Sequence, residues 1–207
     1  MFDLTGRRAL VVGADDDLGR TLRQGLIGAG ADVIAGEAAI EAEAIMDDLG
    51  EVDVLISHLG DRGQRLTSGD DEIRTMPAMV HVVACGMAER GCGKIVNFAS
   101  AGTCTGDIQP ARRESSRSAV AKMTREMCDV WGTVGVSVNG LVFAPGLTGR
   151  RDRAIGGISS WVAGGIPSRR PVVADDLVGT LVWLAAPASD FVHGQVITVD
   201  DRWGSIN

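Results

Sequence analysis

The sequence predicts one α/β domain in which a doubly wound parallel sheet carries helices on both faces. Apolar runs of strand length alternate with longer stretches of helical periodicity, the pattern of repeated βαβ units. At 207 residues the chain can bury one sizeable core and is short for two, so residues 1–207 read as a single domain. Glycines punctuate the expected helix ends, as at Gly28 and Gly30.

Taken in order, Arg8 to Val12 is the first strand and Leu18 to Gly30 the helix after it. Ala31 to Ala35 is the second strand, followed by an acidic helical stretch from Glu37 to Asp48. Val52 to Ile56, Lys94 to Phe98, Val136 to Val142 and Gln195 to Val199 supply the remaining strands. Met76, Met79, Val80, Val83 and Met87 recur at helical spacing, and Val120, Met123, Met127, Val130 and Trp131 do so further on. Such stripes fill a core or meet a partner.

Composition narrows the function classes. A formal net charge of −7 argues against a nucleic-acid or anionic-membrane partner, because a polyanion would be repelled. The local exception, Arg150, Arg151 and Arg153, reads as a solvated loop. Cys85, Cys92, Cys104 and Cys128 form no C-x-x-C pair and suit reduced thiols in a cytoplasm. The first residues lack a basic and apolar leader pattern, and no apolar run approaches the ~20 residues of a membrane span.

The most informative segments lie around a gap in the chemistry. Val12-Gly13-Ala14-Asp15-Asp16-Asp17-Leu18-Gly19 joins the first strand and helix. Gly93 to Ser100, Val136 to Gly140 and Ala144-Pro145-Gly146 follow. Near the end come Pro167-Ser168-Arg169-Arg170-Pro171, Ala174 to Ala185 and Phe191 to Asp200. Together these resemble the short-chain dehydrogenase/reductase family over almost the whole chain.

The resemblance implies a Rossmann-like sheet, here one strand short. Only about fifteen residues separate the second strand from Val52, where a fuller crossover of helix, strand and helix needs more chain. It also implies a serine that hydrogen-bonds the substrate oxygen, a tyrosine that passes the proton, and a lysine that tunes the tyrosine and holds the ribose. Ser100 matches the serine, thirteen residues before the tyrosine position. That position is Arg113, the lysine position is Arg117, and the chain contains no tyrosine. A guanidinium stays protonated, so it cannot cycle a proton.

The cofactor loop departs too. A dinucleotide wants a side-chain-free turn whose N–H groups meet the pyrophosphate. Gly13 and Gly19 are kept, but the middle glycine is Asp17, beside Asp15 and Asp16. One carboxylate about 6 Å from a phosphate charge costs roughly 1–3 kcal/mol at an effective dielectric near 20. Helix capping is the alternative role for these aspartates. The floor of the nucleotide site, small in the family, reads Ser57-His58-Leu59-Gly60.

These departures lead to an expectation of a catalytically silent subunit with no cofactor of its own. Its partner would be an active paralogue holding NAD(P), in a heterodimer or heterotetramer, as in paired hydroxyacyl-CoA dehydrogenases such as the hydroxybenzylsuccinyl-CoA type. Met79, Val83, Met87, Val120, Met123, Met127, Trp131, Val196 and Trp203 would serve assembly, and no metal is expected. The alternatives are a divergent active oxidoreductase and a homodimeric sensor or scaffold. Ser100, His58 and Glu114 hold the residue types of a hydrolytic triad without its elbow motif, Cys104 has no assured cationic neighbour, and Arg112, Arg113 and Arg117 could hold an anion.

Overall fold

The computed structural model describes residues 2–12, 17–36, 50–59, 70–100, 110–143, 167–170 and 172–201. Its strands are β1 (Arg8–Val12), β2 (Asp32–Gly36), β3 (Val54–Leu59), β4 (Gly93–Ser100), β5 (Val136–Phe143) and β6 (Val196–Val199). Its α-helices are α1 (Asp17–Gly28), α2 (Asp70–Arg90), α3 (Pro110–Trp131) and α4 (Asp175–Ala185). All pairings are parallel, in the order β2-β1-β3-β4-β5-β6. The doubly wound sheet expected from the sequence is thus present, with β2 at one edge and β6 at the other among the described residues. The acidic stretch from Glu37 to Asp48 lies outside them.

Successive strand residues point to opposite faces, so each strand feeds two cores. On one face Val11, Ile56, Val96 and Leu141 pack beneath Leu22 and Leu26 of α1 and Leu177 and Leu181 of α4. Phe98 and Phe143 stack there, ring centroids 5.0 Å apart. On the other face Leu10, Leu55, Ile95 and Val138 meet Val83, Ala84 and Met87 of α2, with Met127, Cys128 and Trp131 of α3 against them.

The start of α4 explains the basic motif before it. Arg170 donates to both carboxylate oxygens of Asp176, at 2.6 and 2.8 Å, and the Val173 amide donates to Asp176 Oδ2 at 3.0 Å. Asp175 and Asp176 also sit in the first turn, where negative charge suits the helix dipole.

Several expectations need correction. The third strand runs from Val54 to Leu59 rather than from Val52 to Ile56, because Ser57, His58 and Leu59 pair with Asn97, Phe98 and Ala99. The second begins at Asp32, paired with Arg8. Of the residues assigned to assembly, Val83, Met87 and Val120 are buried in the protein's own core and offer no surface to a partner. Met127 and Trp131 pack partly against that core, and Val196 against Val120 and Val142. Met123 is half-buried, Met79 is described by its α2 backbone, and Trp203 lies outside the described residues.

Helices α1 and α4 cross where Gly25 faces Val178, and a Cβ on Gly25 would collide with the Val178 side chain. Gly25→Ala is therefore expected to cost about 1–3 kcal/mol in urea denaturation, with Val178→Ala in the same chain recovering part of the loss. Additive losses would show that the helices are not in contact there.

Candidate functional site

An open parallel sheet leaves a crevice beyond the carboxyl ends of its strands, where successive connections diverge. Here that point lies between β1 and β3, because β2 and β3 flank β1 on opposite sides. Val12, the last residue of β1, pairs with buried Ser57, so β1 ends next to Ser57. Ser100, the last residue of β4, pairs with Phe143 at the end of β5. Ser57, His58 and Ser100 thus share one sheet edge.

Helix α3 runs down from that edge. Its end packs low on the sheet, where Met127, Cys128 and Trp131 join the core containing Val136 and Val138. Higher up, Asn97 Nδ2 donates to Thr124 Oγ1 at 3.2 Å, both residues fully buried, and Val120 packs on Val142. Each step toward the helix N-terminus climbs toward the carboxyl edge. Arg117 and Arg113 stand about 4.5 and 10.5 Å beyond Val120 along the axis. The intervals joining 113, 117, 120 and 124 place all four positions on one helix face. The backbone therefore gathers Ser100, Arg113 and Arg117 at one end of the fold. It gives the hydrolytic grouping no such support, since Glu114 is displaced by about 100° around α3 from Arg113.

The start of α1 bears on the cofactor. Its first N–H groups have no partners within the helix and head a positive dipole end at the crevice. Asp17 opens this helix, and its carboxylate accepts a 2.6 Å ion pair from Arg20 one turn on. Gly19 is buried. The charge at Asp17 is thus offset by Arg20, while Asp15 and Asp16 lie outside the described residues. Arg20 was missed from the sequence although its i, i+3 spacing from Asp17 was visible. Gly13, Asp15, Asp16, Cys104, Arg150, Arg151 and Arg153 lie outside the described residues, which contain no group of three or more His, Cys, Asp or Glu residues able to hold a metal.

Residues 31–201 match the family model described as enoyl-(acyl carrier protein) reductase. The chain belongs to the short-chain dehydrogenase/reductase family. It is 31% identical to a gluconate 5-dehydrogenase from Gluconobacter oxydans, over 97% of this chain and 95% of that protein. A 2-dehydro-3-deoxy-D-gluconate 5-dehydrogenase from Bacillus subtilis is 28% identical, with 98% and 96% covered. The crystal structure of a gluconate 5-dehydrogenase from Burkholderia cenocepacia, in complex with NADP and tartrate, superposes with a TM-score of 0.80 at 26% identity, covering 99% and 97%. The first alignment runs over 246 residues against 207 here, so internal segments of that relative have no counterpart in this chain.

These relatives correct the expectation of a silent subunit without a cofactor. Proteins alike over nearly their full length are named as dehydrogenases, and a solved one holds NADP. At Asp17 the repulsion expected of the cofactor loop is offset by the Arg20 guanidinium one turn on.

Thr124→Val removes the acceptor of a buried amide and leaves Asn97 Nδ2 only the weak 3.7 Å contact to Met127 Sδ. Stability should fall by about 1–3 kcal/mol, and Thr124→Ser should restore most of it, as read by urea denaturation.

Proposed function

We propose that this chain is an active NAD(P)-dependent oxidoreductase that interconverts a hydroxyl and a ketone on a small sugar acid. The observation that carries this reading is the near-complete coverage between this chain and a gluconate 5-dehydrogenase. The convergence of the α1 start, Ser100 and two arginine positions at one crevice supports it.

When bound, the nicotinamide supplies hydride acceptance or donation at the carbinol carbon. The chain's own residues bind and polarise. The buried-glycine start of α1 receives the pyrophosphate, with Arg20 offsetting Asp17. Ser100 takes the family serine's role and hydrogen-bonds the reacting oxygen. Arg113 and Arg117, one turn apart, hold the substrate carboxylate and stabilise the alkoxide left as the hydroxyl proton departs. Since neither guanidinium can accept that proton, it passes to solvent.

The direct test is turnover of gluconate with NAD and NADP, followed by absorbance of the reduced nicotinamide. Activity with either cofactor is expected, and absence of both turnover and nucleotide binding would refute the proposal. With solvent as base, log(kcat/KM) for oxidation should climb with a slope near one up to about pH 10, without the plateau that a titrating enzyme group produces. Arg117→Met should lower kcat/KM by about 10²-fold.

Charge balance at α1 gives a separate expectation. Asp17→Gly should tighten NAD(P)H binding by roughly fivefold, and Arg20→Met should weaken it by a similar factor, about 1 kcal/mol each way. Fluorescence titration of the reduced nicotinamide reads both.

A further inference from the structure

Of the two adjacent arginines before α4, one is engaged and the other is not. Arg170 gives both arms of its fork to Asp176, at 2.6 and 2.8 Å. Arg169 is exposed and has no hydrogen bond or ion pair among the described residues. The carboxylates nearby are taken: Asp176 by Arg170, and Asp201 by the Ser168 amide, which donates to Oδ2 at 2.7 Å. Bonds from the Ser168 hydroxyl and amide hold the Asp201 carboxyl below its usual range, so it stays charged and bound to Ser168.

Arg169 also holds its backbone at φ +55°, in the left-handed region where a Cβ crowds the following carbonyl. Glycine would take that conformation without the steric cost. The bonds on either side, Ser168 to Asp201 and Arg170 to Asp176, pin the segment and fix Arg169 between them. A strained position kept by its surroundings, with a long cation that no group of the chain uses, is the kind of place where a ligand is met.

Register gives its location. Ser100, Phe143 and Val199 form one row across β4, β5 and β6, at the carboxyl ends of all three. Asp201 lies two residues beyond Val199, so Ser168 and Arg169 stand over the crevice edge on the β6 side of Ser100. Positions 113 and 117 rise from α3 on one face of the sheet, whereas Arg170 ties its segment to α4 on the other. Cationic positions thus flank the strand ends from both faces. Two strand spacings, about 10 Å, separate Ser100 from Val199. An extended six-carbon acid spans about 6 Å between its end carbons, so a substrate at Ser100 comes within reach of a long side chain from the β6 side.

We propose that Arg169 binds a second anionic group on the substrate, so that this chain prefers sugar diacids to sugar acids with one carboxylate. The inference rests on the oxidoreductase reading for the reaction, and on the chain's own geometry for the contact. The carboxylate nearer α3 falls to positions 113 and 117. The far one falls to Arg169, whose planar fork matches a carboxylate with two parallel bonds.

The test compares D-glucarate with D-gluconate, which differ only in a carboxylate replacing the terminal carbinol, on the full chain with and without NADPH. Titration calorimetry reads binding, and turnover of both acids is followed alongside. Glucarate should bind about tenfold more tightly, the effect of one charge-assisted pair. Arg169→Gly and Arg169→Ala should each bring the two affinities to within about twofold of one another. Only glycine relieves the backbone, so the thermal unfolding midpoint of Arg169→Gly should rise by about 2–4 °C while Arg169→Ala gains nothing. Glucarate binding no tighter than gluconate, a preference that survives both substitutions, or a glycine variant less stable than the parent chain would overturn the assignment. Binding without turnover of either acid would refute the oxidoreductase reading and leave the Arg169 contact standing.

Discussion

The buried hydrogen bond from Asn97 to Thr124 sets the height at which α3 lies across the sheet, and the crevice depends on that height. A helix packed by apolar contacts alone can slide by part of a turn at little cost. A buried amide that has few alternative donors or acceptors penalises such a slide by the desolvation of both partners. With Asn97 in mid-β4 and Thr124 two turns below Arg117, the helix cannot shift without stranding them. Arg113 and Arg117 are thereby held above the strand end that carries Ser100.

Several charges among the described residues are met by a partner. Asp17 is answered by Arg20, Asp176 by Arg170, Asp53 by Arg7 and Asp190 by Lys94. Most of these pairs are exposed and worth little individually to stability. Their consequence is local: they decide which sign of charge an incoming ligand meets. At the head of α1 the pair offsets the charge of Asp17. At the opposite edge two such pairs leave a balanced surface.

The two ends of the sheet also differ in how they are made. The carboxyl edge is set by strand lengths, since β3 and β4 extend far enough for Ser57, His58 and Ser100 to share it. The amino edge is shaped by close approach of backbones. Gly135, with φ +84°, meets the Gly91 carbonyl so closely that no Cβ fits. That contact draws the turn after α3 against the turn after α2, and both turns line a concavity at that edge.

By itself, the sequence determined the fold class and the order of the elements, because strand-length apolar runs and helical stripes are local patterns set by backbone period. It also offered Ser100 and the arginine positions 113 and 117 as candidates, since family motifs keep fixed spacing along the chain. It did not decide what those departures mean. Whether Asp17 repels an anion depends on a cation one turn away, and whether Val83, Met87 and Val120 face a partner depends on which side of the helix meets the sheet. Strand register decided the rest: it drew Ser57, His58 and Leu59 into β3 and set Lys94 beside Ser137 across forty-three residues of chain. Such contacts are long-range, and residue order specifies them only through the packing of the whole core.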